Sequence, residues 1–285
     1  MLFNVEEKMM QRIAFLGPEG TFGHEAAKTW LLKAEHIPYS SHLKILEAVE
    51  RREVPLGVVG VENSVAGPVL DVQDYFIHDA NAIRVLGEVV LAINQCAWIK
   101  LGTDPDAVRV VLSHPTGLEQ CAKNIRRMFP NAELKKTDST AEAVREMLAM
   151  SVPAVAIAGK AAAQDGAVVL QENVQDRQRN STRFWVVGCR SARLTGCDRT
   201  SLVFELYENA PGALIAILAL FASRGLNLSK VESRPNKEAL GRYVFLVDVE
   251  AHEKDEHLRD TLRKVRACTP RMRVFGSYPR WQNGV

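Results

Sequence analysis

The feature that most constrains the fold is a regular alternation of short apolar runs with amphipathic stretches across residues 11–188. Runs such as 56–61 and 154–158 have the length and the β-branched composition of buried strands, and stretches such as 41–52 have helical periodicity. Strands that alternate with helices build mostly parallel sheets with helices on both faces. The sequence therefore predicts an α/β fold for the first two thirds of the chain.

The pattern of predicted strands and helices changes after residue 199. Residues 189–199 are basic and poor in large apolar side chains, which predicts a linker. The predicted elements beyond it run strand, helix, strand, strand, helix, strand, an order typical of a ferredoxin-like domain of roughly 80 residues. We therefore expect a catalytic or binding domain at 11–190 (one lobe of 11–85 plus 175–190, another of 86–174), a linker at 191–199 and a small domain at 200–280.

Composition excludes several classes of function. The 285 residues include 36 basic and 34 acidic side chains, so no excess charge points to nucleic acid or to an anionic membrane. No apolar run approaches the roughly 20 residues of a membrane span. Residues 1–11 lack the apolar core of a signal peptide, so a cytoplasmic location is expected. Five cysteines without a Cys-x-x-Cys pair predict free, mostly buried thiols rather than disulfides or a zinc site.

Polar side chains emerge where the predicted strands end. A Gly-Pro turn places Thr21 as the cap of a following helix, and such helix starts bind anions through their backbone amides. Ligands of open α/β sheets lie outside the carboxyl ends of the strands. The spacing matches neither a P-loop nor a dinucleotide fingerprint, which disfavours a nucleotide cofactor. The hydroxyl residues at predicted strand ends are Thr21, Ser64, Ser113, Thr140 and Thr182, and Glu62 and Asn63 precede Ser64.

The stretch from Asn180 to Phe184 places a hydroxyl, a guanidinium and an aromatic ring side by side. Successive strand residues point to opposite faces, so Thr182 and Phe184 share a face and Arg183 points away unless the strand end bends. Arg183 could hold a carboxylate through two parallel hydrogen bonds. His114 could act as a general base, but orienting a turn is the favoured interpretation.

Seven motifs, in order and suitably spaced, resemble those of prephenate dehydratases with a C-terminal ACT regulatory domain. They are Gly17-Pro18-Glu19-Gly20-Thr21-Phe22, Val61-Glu62-Asn63-Ser64, Ser113-His114-Pro115, Ser139-Thr140-Ala141, Asn180-Ser181-Thr182-Arg183-Phe184, Gly212-Ala213-Leu214-Ile215 and Glu232-Ser233-Arg234-Pro235. The resemblance implies a two-lobed, periplasmic-binding-protein-like catalytic domain followed by the ferredoxin-like ACT domain. Thr116-Gly117 in place of Gln-Ala, Gly23 and Ala66 depart from the family pattern, which bears on fine substrate preference.

The resemblance also implies an activity, the conversion of prephenate to phenylpyruvate, water and carbon dioxide without a cofactor. It assigns catalysis to Thr182, with Arg183 as a carboxylate clamp and Glu62 as a proton relay or brace. The expected substrate-binding residues are Thr21, Asn63, Ser64, Ser113, Thr140 and Phe184. About ten residues precede the first strand, which leaves no room for a fused chorismate mutase.

The second domain implies control by L-phenylalanine in a homodimer or homotetramer joined through the ACT domain. The expected effector-binding residues are Gly212, Ala213, Leu214, Glu232, Ser233 and Arg234. Two alternatives stay open at this point. One is an arogenate dehydratase, which would yield phenylalanine itself, and the other is a non-catalytic protein that binds a small anion.

Overall fold

The computed structural model describes residues 12–282. The helices in this range are α1 (Phe22–Trp30), α2 (His42–Glu50), α3 (Leu70–His78), α4 (Pro115–Gln120), α5 (Ala122–Met128), α6 (Thr140–Ala149), α7 (Ala213–Ala222) and α8 (Glu256–Ala267). The strands are β1 (Arg12–Leu16), β2 (Glu35–Tyr39), β3 (Leu56–Asn63), β4 (Gly67–Pro68), β5 (Arg84–Ala92), β6 (Cys96–Lys100), β7 (Val110–Ser113), β8 (Glu133–Lys136), β9 (Ala154–Ala158), β10 (Ala167–Gln171), β11 (Ser181–Gly188), β12 (Asp198–Glu205), β13 (Leu228–Pro235), β14 (Tyr243–Val249) and β15 (Met272–Pro279).

The first sheet has six strands in the order β2-β1-β3-β11-β5, with β4 paired to β3. Strand β1 runs parallel to both β2 and β3. The apolar residues of β3 are buried in succession until the strand reaches Glu62 and Asn63, as expected for a central strand covered on both faces. The sheet thus delivers two polar side chains at the end of an otherwise buried strand.

The second sheet has the order β10-β6-β9-β7-β8. Alternate residues of its strands face opposite sides, so Leu112 packs with Val144 of α6, whereas Val111 packs with Ile125 of α5. Strand β7 is parallel to β8 and β9, but β6 is antiparallel to β9 and β10. The prediction of mostly parallel sheets is therefore wrong for this sheet, because β6 runs antiparallel to both of its neighbours.

The C-terminal sheet has the order β13-β14-β12-β15, and its strand pairs are antiparallel. Helices α7 and α8 cover it through Phe221 and Val265, which are fully buried with Phe204 of β12. The element order β12, α7, β13, β14, α8, β15 confirms the predicted ferredoxin-like domain.

The described residues form two compact units. One comprises 12–48, 54–72 and 89–184, and the other comprises 49–53, 73–88 and 185–282. Within the second unit, Phe76 of α3 contacts Trp185 and Phe275, with ring centroids 5.2 and 5.3 Å apart. The predicted domain boundaries at 190 and 200 stay predictions, since packing divides the chain at other points.

Helix starts test the capping predictions directly. Thr21 accepts the backbone N–H of His24 at 3.3 Å, so its predicted role as a helix cap is confirmed, and Ser139 accepts the backbone N–H of Glu142 at 3.0 Å. His114 caps α4 through its ring, and Gly212, with φ of 84°, stands before α7 without a side-chain bond.

Three other features of the fold were not predicted from the sequence. Strand β2 was not predicted, because it is an outer strand interrupted by Pro38 and carries no run of apolar residues. The helical segment at 115–128 is divided into α4 and α5 at Cys121. All five cysteines are free, as predicted, but only Cys96 and Cys121 are buried and Cys268 is exposed.

Candidate active site

A cavity of about 1000 Å³ lies in the first compact unit, at the strand ends where the sequence places its polar clusters. Its wall is formed by residues from the ends of both sheets. They include Thr21, Asn63, Thr140, Thr182 and Phe184. The structure therefore brings together five of the residues expected at the substrate.

Four helices begin at this cavity. Phe22 of α1, His42 of α2, Thr116 of α4 and Thr140 of α6 each stand in the first turn of their helix and line the wall. Helix N-termini present unpaired N–H groups and a partial positive charge, so they stabilise anions. Among residues 12–282, no lysine or arginine lines this wall. The site can thus hold an anion through neutral donors.

Thr182 is held by Asn63. The Asn63 Nδ2 donates to Thr182 Oγ1 at 2.8 Å and to Asn180 Oδ1 at 2.8 Å. The amide orientation is fixed because Asn63 Oδ1 accepts the backbone N–H groups of Val65 and Ala66 at 2.9 and 2.7 Å, which can only donate. Thr182 therefore receives a hydrogen bond from Asn63, and its own hydroxyl proton remains available to a ligand.

Arg183 lies on the opposite face of β11, as strand alternation predicts. Its Nη2 donates to Glu62 Oε2 at 2.9 Å, and its side chain is 11% exposed. Within the described part of the chain, neither residue of this ion pair belongs to the cavity wall. The geometry gives the pair the position of a brace between β3 and β11, and the clamp and relay roles expected from the sequence stay predictions.

The two serines expected at the substrate lie elsewhere. Ser113 is fully buried, and its hydroxyl donates to the carbonyl of Ile157 at 2.7 Å. Ser64 exchanges hydrogen bonds with Ser181, because its Oγ accepts the Ser181 N–H and its own N–H reaches the Ser181 carbonyl, both at 2.9 Å. In the described chain neither serine lines the cavity, so both have structural positions.

Thr21 lines the cavity but is already engaged. Its hydroxyl donates to the carbonyl of Leu16 at 2.7 Å while accepting from His24. It can offer a ligand one more acceptor site but no donor, since a hydroxyl carries a single proton. Thr140, the first residue of α6, and Phe184 line the wall. Phe184 supplies a buried aromatic surface next to Gly60.

Two cavity histidines complete the wall. His114, weighed in the sequence as a base or a turn residue, accepts the Thr116 N–H at Nδ1, 3.3 Å away, which supports the turn interpretation. His42 received no role from the sequence, and its Nε2 accepts the Gly60 N–H at 3.4 Å. Each ring is thus an acceptor at one nitrogen, so in its neutral form the other nitrogen carries the proton.

Burial keeps these rings neutral. Desolvation lowers the pKa of His42 to about 4, against a small opposing effect of Asp71. Desolvation also lowers the pKa of His114, with Asp138 and Glu119 acting in the opposite direction. Both histidines therefore line the cavity as neutral rings, each with one N–H donor. The signal that could have identified His42 is its place at the first turn of α2, one of the four helices that begin at the site.

Three carboxylates line the side of the cavity formed by the second sheet. Glu142 pairs with Arg145 at 2.6 Å and Glu146 with Lys135 at 2.9 Å, so their charge is partly balanced. Asp138 stands just before the cap of α6. Within residues 12–282 no group of three or more His, Cys, Asp or Glu side chains could hold a metal ion, and no helix there is long and apolar enough to cross a membrane.

The expected effector residues lie in the second compact unit. Gly212, Ala213 and Leu214 form the start of α7, with open space beside the Gly212 Cα. Glu232 accepts a hydrogen bond from Gln73 of α3 at 3.2 Å. Arg234 donates to Gln73 at 3.1 Å and to Asp74 at 2.7 Å. Ser233 lies between them on β13. In this structure the motif on β13 is therefore bound to α3.

The fold defines an α/β protein with a cavity that can hold a small anion, followed along the chain by a ferredoxin-like domain. Comparison with known proteins specifies the family. The family model described as "Prephenate dehydratase" matches residues 13–192, and the model described as "ACT domain" matches residues 200–267. The chain belongs to the prephenate dehydratase family.

Individual relatives agree with this assignment. The chain is 34% identical to the prephenate dehydratase of Lactococcus lactis over 277 residues, covering 94% of this chain and 97% of that protein. It is 34% identical to the bifunctional chorismate mutase/prephenate dehydratase of Aquifex aeolicus, covering 97% of this chain and 75% of that protein. A crystal structure of prephenate dehydratase from Arthrobacter aurescens in complex with L-Phe superimposes with a TM-score of 0.85 at 32% identity, covering 96% and 92% of the two chains.

Proposed function

We propose that this chain is a carbon–oxygen lyase that converts prephenate to phenylpyruvate in phenylalanine biosynthesis, under control by L-phenylalanine. The observation that carries the catalytic proposal is the pairing of Asn63 with Thr182 at the cavity. It holds a hydroxyl whose proton is free to meet a departing oxygen, on a wall rich in neutral donors. Family membership supplies the substrate class.

The reaction requires little from the protein beyond orientation and charge stabilisation. The bond from the ring to its carboxylate breaks and releases carbon dioxide, and the electron pair enters the ring. The carbon–oxygen bond to the ring hydroxyl breaks at the opposite end, and the hydroxide takes up one proton to leave as water. A prephenate dianion thus yields the phenylpyruvate anion, and formation of the aromatic ring drives the step.

Thr182 stabilises the departing oxygen. Because Asn63 donates to Thr182 Oγ1, the hydroxyl proton can point at the substrate, and the received bond polarises the hydroxyl into a better donor. Assistance of this kind contributes roughly 10²–10⁴-fold to a rate. The remainder comes from orientation and from preorganised dipoles, here the four helix starts and the neutral rings of His42 and His114.

The test is an assay of the purified protein with prephenate, following the ultraviolet absorbance of phenylpyruvate. Thr182→Val, which removes the hydroxyl but keeps the shape, should lower kcat by roughly 10²–10⁴-fold. Thr182→Ser, which keeps the hydroxyl, is the matched control and should retain most turnover. Absence of phenylpyruvate with folded wild-type protein, or near-normal turnover of Thr182→Val, would refute the proposal.

Arogenate is the alternative substrate. It carries an ammonium where prephenate carries a keto oxygen. The ring N–H groups of His42 and His114 suit an oxygen acceptor and favour prephenate. The carboxylates on the side of the second sheet would suit an ammonium instead. Assaying both substrates side by side at equal concentration decides between them, with kcat/KM as the quantity compared.

We further propose that L-phenylalanine binds the ACT domain, with its carboxylate on the amides at Gly212, Ala213 and Leu214 and its ammonium near Glu232 and Ser233. Gly212 has φ of 84°, and a Cβ added to it would meet nothing within 4 Å, so ligand atoms can approach its backbone closely. Arg234 would leave its contacts on α3 or share them. The likeness to a relative solved in complex with L-Phe supports the proposal.

Titration calorimetry with L-phenylalanine tests this binding. Gly212→Val should abolish the heat of binding, because the side chain would block the amides. Gly196→Val is the matched control, since Gly196 has a similar φ of 87° and open space around it. Equal binding by both variants, or no binding by the wild type, would remove the effector proposal and leave the lyase proposal intact.

A further inference from the structure

A second cavity, of about 320 Å³, lies within the second compact unit and contains none of the residues discussed above as site residues. Its wall includes Arg84 of β5, Arg273 of β15 and Arg266 of α8. One carboxylate residue, Glu253, stands on the same wall. Three cationic side chains against one anionic side chain leave this small space with an excess of positive charge.

The hydrogen bonds of these arginines show which donors are still available. Arg84 is anchored, since its Nη1 donates to the carbonyls of Asn81 and Ile83 at 3.1 and 2.9 Å. Within the described residues, the side chains of Arg273 and Arg266 make no hydrogen bond or ion pair. A guanidinium carries five N–H donors in a planar fork, so the donors of these two side chains are available to an anion.

The surroundings of Arg273 do not compensate its charge. Burial, followed by the nearby cations Arg84 and Arg271, lowers the pKa of Arg273. Glu50 and Tyr75 act in the opposite direction. Glu50 is already committed, because its carboxylate accepts backbone N–H groups just before β5, including that of Asn81 at 3.1 Å.

Ser277, the buried serine of the wall, already uses its hydroxyl in hydrogen bonds within the protein. Ser277 Oγ accepts the Glu253 N–H at 3.0 Å and pairs with Thr200 Oγ1 at 2.7 Å. Because the Thr200 hydroxyl donates to the carbonyl of Ala251, the Ser277 proton is directed to Thr200. The donors that remain for a ligand are therefore the guanidinium groups and the exposed hydroxyl of Ser191.

We propose that this cavity binds a small oxyanion, a phosphate or a carboxylate, with Arg273 as its main ligand and Arg84 and Arg266 flanking it. The planar fork of arginine matches both kinds of anion. The volume of 320 Å³ corresponds to roughly ten water molecules at about 30 Å³ each, which accommodates an ion of this size. The site is independent of the lyase activity, which uses other residues.

A bound anion would join β5, β15 and α8 by neutralising the repulsion between their arginines. Two consequences follow. The anion should raise the melting temperature of the protein, because it binds the folded state alone. Removing the charge of Arg273 should abolish that effect without lowering the stability of the anion-free protein, because a partly buried, uncompensated cation is lost.

The experiment measures binding of inorganic phosphate and of malonate to the full-length protein by titration calorimetry, in a chloride buffer of constant ionic strength. Arg273→Gln should weaken binding by roughly tenfold or more, the effect of losing a charge-assisted contact. Arg266→Gln gives a second variant at an exposed position, with a smaller loss. Arg263→Gln, on the same helix but outside the cavity wall, is the matched control.

Melting curves with added phosphate, malonate or sodium chloride supply the second measurement. Phosphate or malonate should raise the melting temperature of the wild type and of Arg263→Gln, but not that of Arg273→Gln. Preference for one probe identifies the class of anion. The proposal fails if neither probe binds the wild type, if Arg263→Gln and Arg273→Gln bind alike, or if sodium chloride stabilises as well as the two anions.

Discussion

At the scale of single residues, the site depends on the direction of one hydrogen bond. Asn63 donates to Thr182 because two backbone N–H groups fix the orientation of its amide. The sequence resemblance placed Asn63 among the substrate-binding residues. The geometry instead gives it a positioning role, in which it acts through the Thr182 hydroxyl.

Asn63→Asp tests that role with almost no change in shape. The aspartate cannot donate to Thr182 and would accept the Thr182 proton instead, so the hydroxyl could no longer donate to the substrate. We expect kcat to fall by roughly 10²-fold or more, as on removing the hydroxyl itself, with a small change in KM. The double variant Asn63→Asp/Thr182→Val should be no worse than the poorer single variant. Additive losses would show that Asn63 acts on the substrate directly.

His42 links the site to acid stability. Its pKa is about 4 in the folded chain against 6.5 as the ordinary value, so between these pH values the unfolded chain binds more protons. The free energy of unfolding therefore falls as the pH is lowered through this window, by up to roughly 3 kcal/mol from this group. His42→Gln should flatten the pH dependence measured by urea unfolding. His257→Gln, at an exposed position, is the control variant. If His42→Gln kept the pH dependence of the wild-type free energy of unfolding, His42 would not be the group responsible.

Residue-scale prediction from sequence succeeded where the signal is local. Strand alternation alone places Thr182 and Phe184 on one face and Arg183 on the other, and the cavity wall agrees. The Glu62 partner of Arg183 could not be predicted, since the two residues are 121 positions apart and meet only through the pairing of strands in the sheet. His42 was missed for the same reason, because its partner Gly60 belongs to another element.

At the scale of elements, α3 follows a segment that lines the candidate active site and carries contacts to the residues expected to bind the effector. The segment before it, residues 66–69, lines the candidate active site. Its later residues Gln73 and Asp74 bind Glu232 and Arg234, the residues expected to receive the effector. A ligand that binds these β13 residues therefore competes with, or alters, their contacts on α3.

Asp74→Asn tests this competition. The substitution removes the charge partner of Arg234, 2.7 Å away, and of Lys237, 2.6 Å away. If α3 holds the motif in its effector-free position, the variant should be inhibited at a lower L-phenylalanine concentration, within the roughly 5–150-fold range of typical coupling energies. Asp79→Asn, just beyond the end of the same helix, is the control. An unchanged or higher inhibitory concentration in Asp74→Asn would contradict the competition.

At the scale of the whole molecule, the order of elements was the most predictable property and the packing boundaries the least. The motifs and the change in the pattern of elements near residue 200 predicted an α/β part followed by a βαββαβ part. The two family models match 13–192 and 200–267. The predicted lobe boundaries stay predictions, and residues 73–85 pack in the second compact unit. Aromatic contacts such as Phe76 with Phe275 decide that division, and no local pattern encodes them.

The ACT domain also bears on the expected oligomer. Helix α7 has the sequence ALIAILALFA, which is apolar on every side, although only Ile217 and Phe221 are buried in the chain. Ile215 is 71% exposed, and Val231 on the outer strand β13 is 47% exposed. A helix that is apolar all round is normally covered, and a second copy of the domain would cover this one. This supports a homodimer or homotetramer through the ACT domain.

Ile215→Glu should therefore shift the protein from an oligomer to a monomer, because a carboxylate in an apolar contact between subunits would lose its hydration. Light scattering coupled to size-exclusion chromatography measures the mass directly. Leu240→Glu is the matched control, since Leu240 is a fully exposed leucine in a turn of the same domain. A monomeric wild type, or equal masses for the wild type and Ile215→Glu, would show that α7 is not the contact. Loss of the oligomer in Leu240→Glu would place the contact at the turn before β14 instead.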